Sequence, residues 1–228
     1  MSNWVSALGA AALGPADVRR LPSYSSIAIW LAAALIAIFF ALVGQEATVI
    51  DGAYLPRGND SFYHARRILD AAVGTRGFYQ FDERLNAPEG SWISWPWGYD
   101  YLMAKATQLA IWIVPTLNPL AFISYVPVVW ILVNSALFMA IAGQAGLSRE
   151  MRALAMLCYA LSPLTQNLHA LAMIDHHYVE HTFVLLNAWL GLRWFKQPEN
   201  VARAVALAVA LGLAPAFHNG LFVLQLVP

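Results

Sequence analysis

"WGYDYLMAKATQLAIWIVP", Trp97 to Pro115, is the stretch on which the fold turns. It is apolar enough to cross a membrane and polar enough to lie along one. At ~100° per residue, Asp100, Lys105 and Gln108 fall on one side of a helix, which favours a surface helix over a span. Charge sidedness supplies a second test. If 97–115 stays at the surface, the apolar run 120–142 passes from outside to inside, and Arg149 and Arg152 follow it in a short cytoplasmic loop. Arg193, Lys196 and Arg203 occupy the next short loop on that side. All these cations then share the cytoplasmic face, as the positive-inside bias requires, whereas a spanning 97–115 puts all of them outside.

The rest of the chain follows from that choice. The run "IAIWLAAALIAIFFALV" (27–43) exceeds the ~7–15 apolar residues of a secretory signal and reads as an uncleaved first span, 27–44. Residues 1–26, with Arg19 and Arg20, are then cytoplasmic. Residues 45–119 form a long external loop with interfacial helices. Further transmembrane helices follow in 120–228, at about 120–142, 153–174, 182–195 and 202–216. The last apolar run, 219–228, is shorter than the ~20 residues a span needs, so the chain reads as truncated.

Composition agrees. The 228 residues are 60% hydrophobic and 11% charged, against about 45–50% and about 25% in soluble domains. An all-α polytopic membrane protein is expected. Zero net charge without a basic tract points away from a nucleic-acid partner. The single cysteine, Cys158, forms no internal disulfide and is expected to pack as a small hydrophobe. Trp92, Trp95, Trp97 and Trp112 suit the headgroup layer as anchors.

Two polar strings stand out, both on the external face. In "GNDSFYHARR" (58–67), Asn59 or Asp60 suits an N-cap, and a carboxylate oxygen not used for capping can bind a cation. Asp60 beside His64, Arg66 and Arg67 suits a metal next to a phosphate, while a solvated helix face accounts for at least one arginine. "MIDHHYVEH" (173–181) offers Asp175, His176, His177, Glu180 and His181. Asp175 and His177 combine carboxylate and imidazole, a donor pair for manganese or zinc-like ions. Glu180 is spaced to touch His177 or His176. The plain alternative is that Asp175 caps the following helix. Ionisable residues clustered at a membrane boundary are costly and usually functional, which favours a site.

These strings, in this order and spacing, resemble the catalytic subunit family of oligosaccharyltransferases, membrane glycosyltransferases of the GT-C fold. "WPWGYDYLMA" looks like the family's first-loop exit and "APAFHNGLF" (214–222) like its later aromatic-glycine segment. The resemblance covers about residues 27–228. It implies a GT-C-like helix bundle and a polyprenyl (pyro)phosphate-linked sugar as donor. It also implies an acceptor polypeptide or glycan, membrane lipids around the chain, and Mn2+ or Mg2+ as cofactor. Asp60, Asp175 and His177 are implied as metal ligands, with Asp60, Asp175 and Glu180 in catalysis. Arg66 and His64 would face the donor phosphate, and His218 would approach from the later span. His176 and His181 are expected in supporting or surface roles. The place would be the cell (inner or plasma) membrane, with the N-terminus cytoplasmic and the active site external, on the periplasmic face. The family's later-loop glutamate and WWDYG-type C-terminal soluble domain have no counterpart in the sequence.

Two other readings bear on the same residues. A related GT-C transferase with a monophosphate donor and a lipid or glycan acceptor would use the same carboxylates. A transporter or assembly factor would place its ionisable groups near the bilayer midplane rather than at span ends. A shared metal site requires the tips of Asp60 and Asp175 to lie within about 10 Å.

Overall fold

The computed structural model describes residues 24–43, 47–74 and 76–226. Arg19 and Arg20 lie outside these residues. The first helix, α1 (Tyr24–Leu42), is an apolar run with neither proline nor glycine. Its buried face is a stripe of Ala33, Ala34, Ala37 and Ala41, and such small side chains allow close helix approach. Two short antiparallel hairpins follow: β1 (Val49–Ile50) with β2 (Ala53–Tyr54), and, after α2 (Asn59–Ala72), β3 (Phe81–Asp82) with β4 (Ser91–Trp92). Helix α3 (Gly98–Ile113) packs on α2. The long helix α4 (Pro119–Gln144) starts at Asn118, whose side chain accepts from the Leu120 and Ala121 N–H groups at 3.0 and 3.1 Å. Then come α5 (Arg149–Leu161), α6 (Pro163–Leu168), α7 (His177–Lys196) and α8 (Val201–Leu213). The segments Ala214–Ala216 and Asn219–Leu226 are 3₁₀ turns.

The core lies in two clusters joined through α4. One packs the alanine stripe of α1 against Val128 and Ile131 of α4 and Met156 and Ala160 of α5. The other packs Ala65, Ile68 and Ala71 of α2 against Tyr99, Met103 and Ala104 of α3, Ile123 of α4, and Tyr178 and Val179 of α7. Asn134 ties α4 to the elements on either side of the loop 169–176. Its Nδ2 contacts His169 Nε2 at 2.9 Å and the Tyr178 carbonyl at 2.9 Å, and its Oδ1 accepts from Thr182 at 2.7 Å.

Several expectations are corrected here. The expected span 153–174 is not one helix. Pro163 lacks an N–H and forces extended backbone on Ser162 (ψ 129°), so α5 stops at Leu161. The chain resumes as α6 and then leaves the helix at His169. Residues 169–176 fold back over the bundle. Leu171 donates to Ala41, Ala172 donates to Ser124, and Arg57 donates to Ala172. Ala172 sits at φ 63° and is fully buried. An L-residue there costs roughly 1–2 kcal/mol, offset by those three backbone bonds. This turn is what brings Asp175 to α2.

Among the described helices, α1 and α4 are long and apolar enough to cross a membrane. The expected spans 182–195 and 202–216 coincide with α7 and with α8 and the turn Ala214–Ala216. The other corrections are local. The run 219–228 is a 3₁₀ turn as far as Leu226. Cys158 faces outward instead of packing inside. The cap of α2 is Gly58 at φ 89°, without a side-chain bond, so neither Asn59 nor Asp60 caps it. The cap of α7 is His176, not Asp175. Trp92, Trp97 and Trp112 are exposed, but Trp95 turns inward onto Tyr63 and His64.

Candidate active site

The site begins on the facing stripes of α2 and α3. On α2 the buried positions are Ser61, His64, Ala65, Arg67, Ile68 and Ala71, recurring at helical spacing. On α3 they are Gly98, Tyr99, Asp100, Met103, Ala104 and Thr107. Asp100 therefore points into the protein, not to the polar side expected with Lys105. The reason is Arg67, which is 0% exposed. Its Nη1 donates to Asp100 Oδ2 at 2.6 Å, its Nε and Nη2 donate to the Tyr79 carbonyl at 3.2 and 2.9 Å, and Nη2 also donates to Gln80 Oε1 at 3.2 Å. A guanidinium this deeply buried is stable only when paired and fully hydrogen-bonded. The expectation of a solvated arginine thus fails for Arg67. Arg66 keeps a side chain 37% exposed and pairs with Asp82 at 2.5 Å.

Asp100 has a second partner. Its Oδ1 accepts from His64 Nδ1 at 2.7 Å. That bond fixes the imidazole and leaves Nε2 facing the loop 169–176. His64 Nε2 lies 3.6 Å from Asp175 Oδ1 and 3.4 Å from His176 Nδ1. Burial disfavours the imidazolium of His64, but the bond and charge of Asp100, with the charges of Asp175 and Asp60, outweigh it and raise its pKa. A cation at Nε2 would displace that proton.

Asp175 is the hub. Its Oδ1 accepts from the His176 backbone N–H at 2.7 Å and from His176 Nδ1 at 2.8 Å. Its Oδ2 lies 3.7 Å from His177 Nε2. Burial pushes its carboxyl up, but the hydrogen bond and charge of His176, then the charges of His177 and His64, bring it down to about 2. Ligand atoms of His64, Asp175 and His176 lie within 4.8 Å of one another, and all three residues are buried. His177 is 43% exposed at the side chain, and its Nδ1 meets Glu180 Oε2 at 2.8 Å. His218 lies beside Glu180, with Nδ1 3.1 Å from Oε1 in an ion-pair contact whose angles fall outside those of a hydrogen bond.

Helix α2, the loop 169–176, the first turn of α7 and the segment after α8 thus gather His64, Asp175, His176, His177, Glu180 and His218. Asp60 is exposed in the first turn of α2. It stands one turn before His64, on the same side of the helix, close enough to act on the His64 charge. Of the supporting or surface roles expected for His176, the surface one is corrected: it is 4% exposed and lies within the cluster. His181 faces away, stacked on Tyr159 with its ring 6.2 Å from that of His169. Sequence reasoning missed Asp100, and with it the buried pairing of Arg67. The signal was present, because Asp100 shares the helical stripe of Tyr99, Met103, Ala104 and Thr107.

No family model matches the sequence, and no curated protein matches it. Among solved structures, the oligosaccharyltransferase of the archaeon Archaeoglobus fulgidus shares this fold. In its complex with an inhibitory peptide and a dolichol-phosphate the TM-score is 0.71 at 18% identity, over 88% of this chain and 24% of that one. The apo form gives 0.70 at 19% identity over 89% and 24%. The form with zinc and sulfate gives 0.66 at 18% identity over 86% and 26%. The chain spans about a quarter of the length of the solved chains it matches.

Proposed function

We propose that this chain belongs with the oligosaccharyltransferases and is a multi-pass membrane glycosyltransferase. It would move a sugar or oligosaccharide from a polyprenyl (pyro)phosphate donor to an asparagine of an acceptor polypeptide. The observation that carries the reading is the convergence of Asp175 and the surrounding imidazoles on α2, within a fold shared with the Archaeoglobus fulgidus enzyme. In this reading the N-terminus is cytoplasmic and the site lies on the external face. The exposed Trp92, Trp97 and Trp112 then sit at headgroup level.

The residues fit a divalent cation. A buried carboxylate held down to about 2 is ionised at every physiological pH, and it is flanked by imidazole nitrogens at 3.6 and 3.7 Å. Asp60, Asp175 and His177 would hold Mn2+ or Mg2+, which when bound supplies positive charge against the phosphate leaving group. The bond broken is from the anomeric carbon to the phosphate oxygen, so negative charge grows on that oxygen. The chain's own residues prepare for this. Glu180 accepts from His177 Nδ1 and so turns Nε2 towards Asp175. Asp100 does the same for His64. The exposed edge of Arg66 is available to the departing phosphate. Asp60, exposed in the first turn of α2, would engage the acceptor amide.

The test uses membranes containing the chain, a polyprenyl-pyrophosphate-linked oligosaccharide and an Asn-X-Thr peptide. Donor should be consumed and the peptide glycosylated only with Mn2+ or Mg2+ present, and Asp175→Asn should abolish both. Donor left intact by the unsubstituted chain under all metal conditions would overturn the reading.

A further inference from the structure

Two buried nitrogens in this cluster have no hydrogen-bond partner among the described residues: His176 Nε2 and His218 Nδ1. An unpartnered buried polar atom costs about 1–3 kcal/mol, so a pair of them on neighbouring rings requires an explanation. The rings stack at 4.7 Å with planes 19° apart. Glu180 stands beside them in the first turn of α7. Ligand atoms of His176, Glu180 and His218 lie within 4.8 Å of one another.

The proton positions on His176 follow from Asp175. The Asp175 carboxylate oxygen Oδ1, 2.8 Å from Nδ1, favours the proton on Nδ1, which leaves the lone pair on Nε2. A carboxylate that holds one imidazole nitrogen so that the other can bind a cation is the arrangement found behind ligating histidines. Glu180 is placed in the same way. Its Oε2 is held by His177, and its Oε1 is turned to His218.

We propose that His176 Nε2, Glu180 and His218 Nδ1 form a second divalent-cation site, distinct from the one assigned to Asp60, Asp175 and His177. Two imidazoles and one carboxylate make a donor set for a zinc-class ion with an open fourth position. The oxygen-richer set at Asp60 and Asp175 suits a harder ion. Asp175 serves both sites, as a direct ligand in one and as the orienting carboxylate in the other. The second cation would pin the 214–226 segment to the first turn of α7. That segment already lies against α3, where a Cβ added at Gly98 would meet the Ala216 carbonyl oxygen. The inference stands on donor geometry and does not depend on glycosyl transfer.

Cobalt is the probe, because Co2+ in a four-coordinate nitrogen and oxygen site absorbs strongly in the visible. The full chain in detergent, stripped with a chelator, is titrated with Co2+. One equivalent should give the visible band, and Zn2+ should displace it. Glu180→Gln and His218→Ala should lose the band, with affinity falling by more than the roughly 10–100-fold that loss of an outer carboxylate causes. Asp60→Asn should keep it. Helical content by circular dichroism shows whether each variant is folded. His218→Cys, which restores a ligand, should recover binding with a sulfur-to-cobalt band in the near ultraviolet. A band that survives in His218→Ala, or that disappears in Asp60→Asn as fully as in Glu180→Gln, would overturn the proposal. So would a failure of His218→Cys to bind more tightly than His218→Ala.

Discussion

Where α1 meets α4 and α5, the contact is made of Ala33, Ala34, Ala37, Ile131, Met156 and Ala160. Where α2 meets α3 and the start of α7, Arg67, Asp100, His64 and Asp175 are buried to a similar depth. The first junction depends on close approach and nothing else, so any side chain that fits will serve. The second depends on partnership, because a buried charge that loses its counter-charge costs several kcal/mol. The apolar junction holds the bundle together, and the charged one holds a carboxylate and four imidazoles in fixed relation. Substitutions at the two should therefore fail in different ways.

The largest effect is expected at Arg67. Arg67→Met takes the guanidinium from buried Asp100, which keeps only its bond from His64, and should lower stability by about 3–5 kcal/mol, read as a fall in the thermal midpoint in detergent. Arg67→Met combined with Asp100→Leu should recover much of that loss. Equal instability in the single and double variants would show that the junction is not governed by charge pairing. Next comes Ala37→Leu in the apolar junction. It should cost about 1–3 kcal/mol by overpacking and leave cation affinity at the site unchanged. A matching loss of affinity would mean that the two junctions are not independent.

A smaller effect tests the exposed rim. Asp82 is fully buried and gathers Arg66, Arg76, Arg84 and Tyr63 at the β3–β4 hairpin. Burial pushes its carboxyl up, but the backbone and side-chain bonds of Arg84, then the charge of Arg66, hold it below the usual range. A folded value below the unfolded one means that its contribution is complete above about pH 4, the ordinary Asp value. The contribution is lost as pH falls further. Hydrogen-exchange protection of residues 81–92, corrected for intrinsic rates, should be flat from pH 7 to 5 and fall below about pH 4. Asp82→Asn should remove that fall. The smallest effect is expected at Arg84, whose side chain is 40% exposed. Arg84→Ala should shift the thermal midpoint by what about 0–1 kcal/mol implies.

The same contrast explains what the sequence disclosed. Helices α1 and α4 were legible because each is one long apolar run, and α4 has Asn118 and Pro119 at its start. The break at Ser162–Pro163 was visible as residues but was outweighed by the apolar window around it. The closeness of Asp175 and His177 was legible because they stand two residues apart. Asp100 was misread as solvent-facing because its partner Arg67 is 33 positions away, and helix phase alone does not say which side faces a neighbour. His176 was undervalued for a related reason. Its burial among other rings depends on His64, more than a hundred residues earlier, and on His218, from a segment that folds back after α8.

The central claim is that Asp60 and the Asp175–His177 pair hold one cation. Mn2+ binding, followed by electron paramagnetic resonance on the chain in detergent, tests it directly. Asp60→Ala and Asp175→Ala should each weaken binding, the double variant no more than the worse single, since both remove the same ion. Unchanged Mn2+ affinity in both single variants would contradict the account.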